Sequence, residues 1–293
     1  MGASASGSKH IVDPGKQARS ASGIPIVPSF DGYRAFAILG VVMLHLTMVS
    51  GIAAVGTRDI SARLIWGTFG HAVELLFIVS GFVVFLPTVA RGGDFGGLLP
   101  FAVRRGARLL PAYWLILLLT LLLIAVADPT AADFSGWGDA FFNFTATTVP
   151  AGLFIPDIPL GFGFNPPLWT LSVEVGFYIV LPFVAVAFYR RPWAGLAIAA
   201  LITIAWTIAF DHVNWVTTHL GMNPDFGELV RIKLSSGLQL PTWAYSFALG
   251  MAGAWTFVRS PEIHGGRLVL PWRHGQSGEP SRSYSDRCSH SFS

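Results

Sequence analysis

The sequence predicts an all-α protein, a polytopic bundle of transmembrane helices. Two features of composition indicate this class: 53% of the 293 residues are hydrophobic and only 12% are charged, and the mean hydropathy is +0.58, which is outside the range of ordinary soluble domains. The third observation is that the apolar residues fall into six runs, each long enough to cross a bilayer. The runs cover residues 33–52, 69–89, 109–126, 171–188, 193–210 and 240–258.

Lysine and arginine are distributed unevenly around these six runs. With the amino terminus inside the cell, fifteen of the 19 basic residues fall in inner segments and four in outer segments. Inner loops of membrane proteins are enriched in lysine and arginine. We therefore expect a multi-pass protein of the plasma (inner) membrane with a cytoplasmic amino terminus and residues 128–170 outside. Because the positive charge follows topology, it gives no argument for a nucleic-acid partner.

The two ends of the chain differ from the apolar region between them. Residues 1–29 are rich in Ser, Gly and Ala and have no apolar core of a signal peptide, which predicts a disordered cytoplasmic tail. Residues 30–258 form the predicted membrane domain. Residues 259–293 have almost no apolar periodicity, which predicts an unstructured tail. The one cysteine, Cys288, excludes an intrachain disulfide and a cysteine-cluster metal site.

The first apolar run carries two ionisable side chains, Arg34 and His45, which are eleven residues apart. At about 100° per residue this spacing comes within about 20° of three full turns, so both side chains share one face of a helix. They are separated by roughly 16 Å along it, about half the hydrocarbon thickness. Ionisable groups inside a bilayer are functional by default, and a structural interhelical hydrogen bond is the alternative for His45.

Two carboxylates, Glu74 and Glu174, are placed by the predicted topology with His45 in the outer half of the bundle. A carboxylate there would orient the imidazole and raise its basicity, so the three are candidate catalytic residues. The alternative is that both carboxylates lie near interfaces where water reaches them. His71 and Glu74 have the spacing of two metal ligands, but without a third ligand nearby an interfacial pair is favoured.

Three arginines, Arg34, Arg105 and Arg108, lie at the inner boundary of the predicted bundle. The last two belong to the segment 104–108, which follows a glycine-rich loop at residues 91–97. Guanidinium groups bind phosphates through paired hydrogen bonds, which makes the three arginines candidate ligand-binding residues. The alternative is that they serve membrane topology alone, since arginine flanks many spans and its side chain reaches the interface.

Four segments, in this order, carry a resemblance to a known family. They are residues 30–34 (FDGYR) with the spacing to His45, residues 73–82 (VELLFIVSGF), residues 104–114 (RRGARLLPAYW) and residues 168–178 (LWTLSVEVGFY). Together they resemble the acyltransferase 3 family of integral-membrane O-acyltransferases, over roughly residues 28–190. The chain departs from the family at His71, where Gly is usual, and position 74 is Asp in the family as often as Glu.

The resemblance implies that an acyl group, often acetyl, passes from acyl-CoA to a hydroxyl of a cell-envelope glycan or another exported acceptor. It implies that Arg34, Arg105 and Arg108 bind the phosphates of acyl-CoA. His45 would then act as general base or transient acyl carrier, with its tautomer held by Glu74 or Glu174. Acyl-CoA is a donor substrate in this scheme, and we expect no permanently bound cofactor and no metal.

Two alternatives of other classes stay open. A proton-coupled transporter would use the same histidine and carboxylates as a proton relay, but it does not need the arginines beside the glycine-rich loop. An inactive membrane scaffold is the second alternative. The family fold has about ten spans and this sequence has six, so we expect a carboxy-terminally truncated or frame-shifted product that is inactive and poorly stable as a monomer.

Overall fold

The computed structural model describes residues 29–49, 67–127, 137–155, 164–259, 262–264 and 267–269. Regular structure in these residues is helical apart from one short ribbon, which confirms the predicted all-α class. The helices are α1 (Ser29–Val49), α2 (Ala72–Ala90), α3 (Leu98–Ala127), α4 (Trp137–Phe144), α5 (Thr148–Phe154), α6 (Trp169–Arg190), α7 (Pro192–Asp211), α8 (Val213–His219), α9 (Phe226–Leu238) and α10 (Leu240–Arg259).

Each of the six predicted apolar runs contains a helix. Helices α1 and α10 account for the first and last runs, and the apolar part of α1 is the shorter stretch Gly32–Thr47. The other four are long and apolar enough to cross a membrane: Gly67–Ala90, Leu98–Ala127, Pro166–Arg190 and Pro192–Asp211. The protein is therefore a multi-pass membrane protein.

The third span begins earlier than the sequence predicted. We expected it to start near residue 109, directly after the arginine-rich segment, whereas α3 begins at Leu98. Pro100 does not prevent this, because amides in the first turn of a helix have no intrahelical partner. As a consequence, Arg105 and Arg108 lie about 10 Å and 15 Å inside the helix instead of in front of it.

Helix α2 is the centre of the bundle and packs against α10, α1 and α6. Its close approach to α10 requires two glycines. A Cβ atom at Gly81 would lie 2.2 Å from the Phe247 carbonyl oxygen, and one at Gly250 would lie 1.9 Å from the Ile78 carbonyl oxygen. Small residues allow two helices to approach closely in a membrane. The Phe77 ring fills the neighbouring space, with its centre 4.8 Å from that of Phe247.

Helices α3 and α7 lie at the periphery of the bundle. Of the 18 most apolar consecutive residues in each helix, only 11% in α3 and 6% in α7 are buried within the protein. Apolar helical stretches that are this little buried within the protein present their side chains to lipid. Helix α7 packs against α10 and α6, and α3 forms one wall of the polar cavity described below.

Short helices cover one end of the bundle, and contacts to backbone carbonyls hold them in place. The Arg231 guanidinium of α9 donates to the Gly152 carbonyl of α5 over 2.8 Å. The Gln239 side-chain amide donates to the Val149 carbonyl, also over 2.8 Å. Both bonds pair backbone carbonyl groups of α5 with side-chain donors from another part of the chain.

The ends of the chain lie largely outside the described residues. The predicted disordered tail, residues 1–29, is among them apart from Ser29, with which α1 begins. Six residues of the segment 259–293, which we predicted to lack structure, form an antiparallel ribbon of two strands, β1 (Glu262–His264) and β2 (Arg267–Val269). The prediction is corrected for these six residues, because alternation over so short a stretch gives no detectable period.

Candidate active site

A glycine-rich turn joins α2 to α3. The Arg91 guanidinium donates to the carbonyl oxygens of Asp94, over 3.0 Å, and Phe95, over 2.8 Å. Gly93 has a φ of 98°, and a Cβ atom there would lie 2.4 Å from the ring of Tyr189. Glycine adopts this conformation without a steric cost. These contacts fix the conformation of the turn, which returns the chain beside α2.

A cavity of about 700 Å³, here called the arginine-lined cavity, lies between this turn, the end of α2 and the start of α3. Arginine accounts for four of its ten lining residues, namely Arg91, Arg104, Arg105 and Arg108. The side chains of Arg104 and Arg108 are exposed, whereas Arg91 is held by the turn. Guanidinium groups pair with phosphate through parallel hydrogen bonds, so this cavity suits a phosphorylated ligand.

A second cavity of about 420 Å³, here called the inner cavity, lies beside the first within the bundle. Arg105 and Arg108 line both volumes, so the two cavities share a wall. The polar lining residues come from α1, α2, α3 and α6, and they are Arg34, Ser80, Arg105, Arg108, Tyr113, Glu174 and Tyr178. The structure thus brings together the three arginines and one of the carboxylates that the sequence identified.

The Glu174 carboxylate is held by two hydroxyl groups in the inner cavity. The Ser80 hydroxyl donates to Oε1 of Glu174, and the Tyr178 hydroxyl donates to the same oxygen over 2.6 Å. Tyr178 is four residues after Glu174 and therefore shares its face of α6, whereas Ser80 reaches across from α2. The Arg105 guanidinium carbon lies 5.8 Å from the centre of the Tyr178 ring. Such an arrangement positions a carboxylate among cations and hydroxyls.

This cluster lies near the middle of the membrane-spanning region. Ser80 is thirteen residues after Gly67 and ten before Ala90, the two ends of its span. At 1.5 Å per residue, the ends are about 20 Å and 15 Å away. Polar and ionisable side chains at this depth are costly unless they face a cavity or one another, and they mark functional sites.

His45 does not line either cavity. Its side chain is half-buried, and Nδ1 lies 2.8 Å from the carbonyl oxygen of Val41 on the preceding turn of α1. A neutral imidazole that donates from Nδ1 has its lone pair on Nε2. The Val41 carbonyl therefore performs the orienting role that we predicted for Glu74 or Glu174.

Glu74 interacts with a residue of its own helical turn. Its Oε2 lies 2.8 Å from Nδ1 of His71, and the two side chains are 46% and 73% exposed. This is the interfacial pair that the sequence favoured over a metal site. Among the residues that the structure describes, no group of three or more His, Cys, Asp or Glu side chains is placed to bind a metal ion.

The relative direction of α1 and α2 separates His45 from the inner cavity. Gly40 contacts Ala72 near the start of α2, whereas Arg34 lines the inner cavity with Ser80. The two helices are therefore antiparallel. His45 is five residues beyond Gly40 on α1, and Ser80 is eight residues beyond Ala72 on α2, in the opposite direction. At 1.5 Å per residue, His45 lies about 20 Å from Ser80 along the bundle.

The predicted arrangement of the site is corrected in this respect. We expected Glu174 to lie with His45 in the outer half and the arginines at the inner boundary. In the structure Glu174 lines the same cavity as Arg105, and His45 lies at another level. A residue's position in its own apolar run does not give its depth in the bundle. The offsets between packed helices, above all the early start of α3, decide the true depth.

Sequence reasoning did not single out Ser80, Tyr178 or Tyr113 as members of the site. Tyr178 was detectable, because a phenol at four residues from a carboxylate on one helix is within hydrogen-bonding reach. Ser80 is a hydroxyl in an otherwise apolar run, but nothing in the sequence pairs it with Glu174, which is 94 residues away. The buried Tyr113 hydroxyl donates to the backbone carbonyl of Asn143.

The fold and the site define a class, that of multi-pass helical membrane proteins with an arginine-lined polar cavity inside the bundle. Comparison with protein families is more specific. The family described as acyltransferase domain matches residues 27–264. The chain therefore belongs to this acyltransferase family, as the four sequence segments predicted.

Two relatives show how far this similarity extends. The chain is 32% identical over 186 residues to the acyltransferase MdmB of Streptomyces mycarofaciens, covering 60% of this chain and 45% of that protein. It is 31% identical over 176 residues to the "Putative peptidoglycan O-acetyltransferase YrhL" of Bacillus subtilis (strain 168), covering 56% of this chain and 24% of that protein. The matches thus span less than half of each relative. No solved structure gives a significant match.

Proposed function

We propose that this protein is a membrane O-acyltransferase that moves an acyl group, most simply acetyl, from acyl-CoA to a hydroxyl of a cell-envelope glycan or another exported acceptor. The family membership supports acyl transfer. The relative named for peptidoglycan O-acetylation supports acetyl as the group and an envelope glycan as the acceptor. The observation that carries the donor assignment is the wall of Arg105 and Arg108 that the two cavities share.

The arginine-lined cavity is proposed to bind the phosphate groups of acyl-CoA. Arg104 and Arg108 present exposed guanidinium groups to it, and Arg105 closes its inner side. Guanidinium groups offer the paired donors that phosphate oxygens accept. A proton relay has no need for four arginines around one volume, so this lining favours acyl transfer over the transporter alternative.

The thioester arm is proposed to extend past Arg105 into the inner cavity. There it would reach Glu174, the carboxylate held by Ser80 and Tyr178. A carboxylate within hydrogen-bonding distance of a hydroxyl can act as a general base. The positively charged wall would stabilise negative charge that develops on the carbonyl oxygen during acyl transfer.

His45 is proposed as a second proton-accepting group, at a separate level of the bundle. Its tautomer leaves Nε2 able to accept a proton, because Nδ1 faces the Val41 carbonyl. With the amino terminus in the cytoplasm, the glycine-rich turn faces the cytoplasmic pool of acyl-CoA and His45 lies on the side of an exported acceptor. This orientation rests on the distribution of lysine and arginine.

Donor binding tests this proposal directly. We expect acetyl-CoA to raise the melting temperature of the detergent-solubilised protein, and Arg104→Ala to reduce that shift. Arg190→Ala is the matched control, because Arg190 is an exposed arginine that is absent from the lining of both cavities. A shift that is absent from the wild type, or equal in all three proteins, would contradict the donor assignment and restore the transporter alternative.

A further inference from the structure

Ser80 is a nucleophilic side chain to which the proposed function gives no covalent role. It lines the inner cavity although only 4% of its surface is exposed. Its hydroxyl donates to the Glu174 carboxylate of another helix. A hydroxyl becomes a competent nucleophile when an adjacent base accepts its proton. The pairing therefore has the form of an activated serine.

We propose that Ser80 is the nucleophile that carries the acyl group between donor and acceptor, with Glu174 as its general base. This inference rests on the proposed acyl-CoA-dependent function and deepens it. Three observations converge on Ser80: the hydrogen bond to a carboxylate, the position in a cavity that shares Arg105 and Arg108 with the arginine-lined one, and the location near mid-span.

The reaction balances in two steps. First, Ser80 Oγ attacks the thioester carbonyl carbon, the C–S bond breaks, and the serine proton passes through Glu174 to the departing thiolate, which gives acyl-serine and free CoA. Second, an acceptor hydroxyl attacks the acyl carbon and its proton passes to Glu174. The bond between the acyl carbon and Ser80 Oγ breaks, and the serine oxygen takes the proton back.

The surroundings of Ser80 suit both steps. Arg105 and Arg34 line the same cavity, so positive charge faces the carbonyl oxygen that becomes an oxyanion in each step. Tyr178 donates to the same carboxylate oxygen as Ser80, which keeps Glu174 in place while the serine is acylated. A carboxylate that keeps one donor is not left unpaired inside the bundle.

The depth of Ser80 explains how a covalent intermediate would link substrates on the two sides of the membrane. Acyl-CoA reaches the protein from one side of the membrane and an exported hydroxyl from the other. An acyl-serine about halfway along the span would let the donor leave before the acceptor enters, so neither substrate has to cross the bilayer. A covalent intermediate of this kind predicts ping-pong kinetics.

The test is to incubate the full chain in lipid nanodiscs with radiolabelled acetyl-CoA, without an acceptor, and to locate the label by peptide mass spectrometry. We expect acetate on Ser80 in the wild type and none in Ser80→Ala. Ser80→Cys should retain the label as a thioester, which neutral hydroxylamine removes while the wild-type oxygen ester survives. Glu174→Gln should lower the rate of loading by a factor on the order of 10² or more.

Ser235→Ala is the matched control, because Ser235 is a buried serine that lines neither cavity. Tyr178→Phe is a comparison that removes the other donor to the same oxygen and leaves the nucleophile in place. If Ser80 only positioned Glu174, Ser80→Ala and Tyr178→Phe would have similar effects and the hydroxylamine response would not follow Ser80→Cys. We expect Ser235→Ala to load at the wild-type rate, and Tyr178→Phe to load more slowly but still on Ser80.

Two outcomes overturn the inference, and they are distinguishable. Acetyl transfer to an acceptor with label on another residue, or with undiminished loading in Ser80→Ala, excludes Ser80 as carrier and leaves the proposed function standing. A wild-type protein that neither binds acetyl-CoA nor releases CoA from it contradicts the proposed function itself, and the role of Ser80 with it.

Discussion

The phenol of Tyr178 donates to Oε1 of Glu174 over 2.6 Å, from one turn further along the same helix. This bond holds the carboxylate at the inner cavity, and it joins two residues one turn apart on α6. The hydroxyl of Ser80 completes the arrangement from α2. The geometry of the candidate site therefore depends on one local contact and one contact between helices.

Glu174→Gln should show whether the carboxylate acts as a base. The amide is nearly isosteric and still accepts hydrogen bonds from Ser80 and Tyr178, but it does not take up a proton. We expect acetyl transfer to fall by about 10² to 10⁴ with little change in melting temperature. Steady-state transfer from labelled acetyl-CoA measures this. A glutamine variant with wild-type turnover would reduce Glu174 to a structural hydrogen-bond acceptor.

His45→Ala should distinguish effects on transfer to the acceptor from effects on donor binding. His45 lies outside the lining of both cavities and about 20 Å from Ser80 along the bundle. We therefore expect the affinity for acetyl-CoA and the loading of Ser80 to stay unchanged. Transfer to the acceptor should fall, but less than in Glu174→Gln, because Glu174 accepts the proton of the acceptor hydroxyl. Donor binding by calorimetry and transfer by radiolabel should be measured on the same preparation. Transfer at the wild-type rate would leave His45 with the structural bond to Val41 alone.

Arg108→Ala should raise the KM for acyl-CoA more than it lowers kcat, because phosphate contacts stabilise the bound substrate and the transition state alike. Arg105→Ala should raise the KM and also lower kcat, because Arg105 faces the oxyanion as well. Lysine at either position should rescue only partly, since it lacks the planar fork of donors. Arg190→Ala serves as the control. Unchanged KM in both alanine variants would mean that these arginines serve only packing and topology.

The topology predicts which positions a membrane-impermeant thiol reagent reaches in intact cells. After Cys288→Ser removes the natural thiol, a cysteine in place of Asp139 should be labelled directly. A cysteine in place of Gly92, in the glycine-rich turn, should be labelled only after permeabilisation. The reverse pattern would invert the protein in the membrane and place the arginine-lined cavity away from the cytoplasmic acyl-CoA.

Gly250→Ala tests the helix contact at the centre of the bundle. The new Cβ atom would lie 1.9 Å from the Ile78 carbonyl oxygen, so the two helices must separate, and we expect a loss of about 1–3 kcal/mol in stability. Gly106→Ala is the control, because its nearest neighbour would be Leu110 Cδ1 at an ordinary 3.7 Å. Melting temperatures in one detergent compare the two. An unchanged value for Gly250→Ala would show that α2 and α10 can separate at little cost.

Much of the candidate site could be predicted from the sequence because membrane-embedded polar residues are few. Arg34, Arg105, Arg108 and Glu174 stood out as ionisable groups in or beside apolar runs, and all four line the inner cavity. The grouping of His45 with Glu174 was wrong. Which residues meet depends on how far each helix is displaced along its neighbour, and apolar periodicity carries no information about that displacement.

The sequence by itself determined the class of this protein, since a bilayer accepts only helices or closed barrels and the apolar runs have the length of helical spans. It also determined the family, through four ordered segments of short-range pattern. The tertiary structure decided the depth of the arginines, the pairing of Ser80 with Glu174 and the distance of His45 from both. Those features depend on helix offsets set by close contacts such as that of Gly250 with Ile78, and such contacts join residues far apart in the chain.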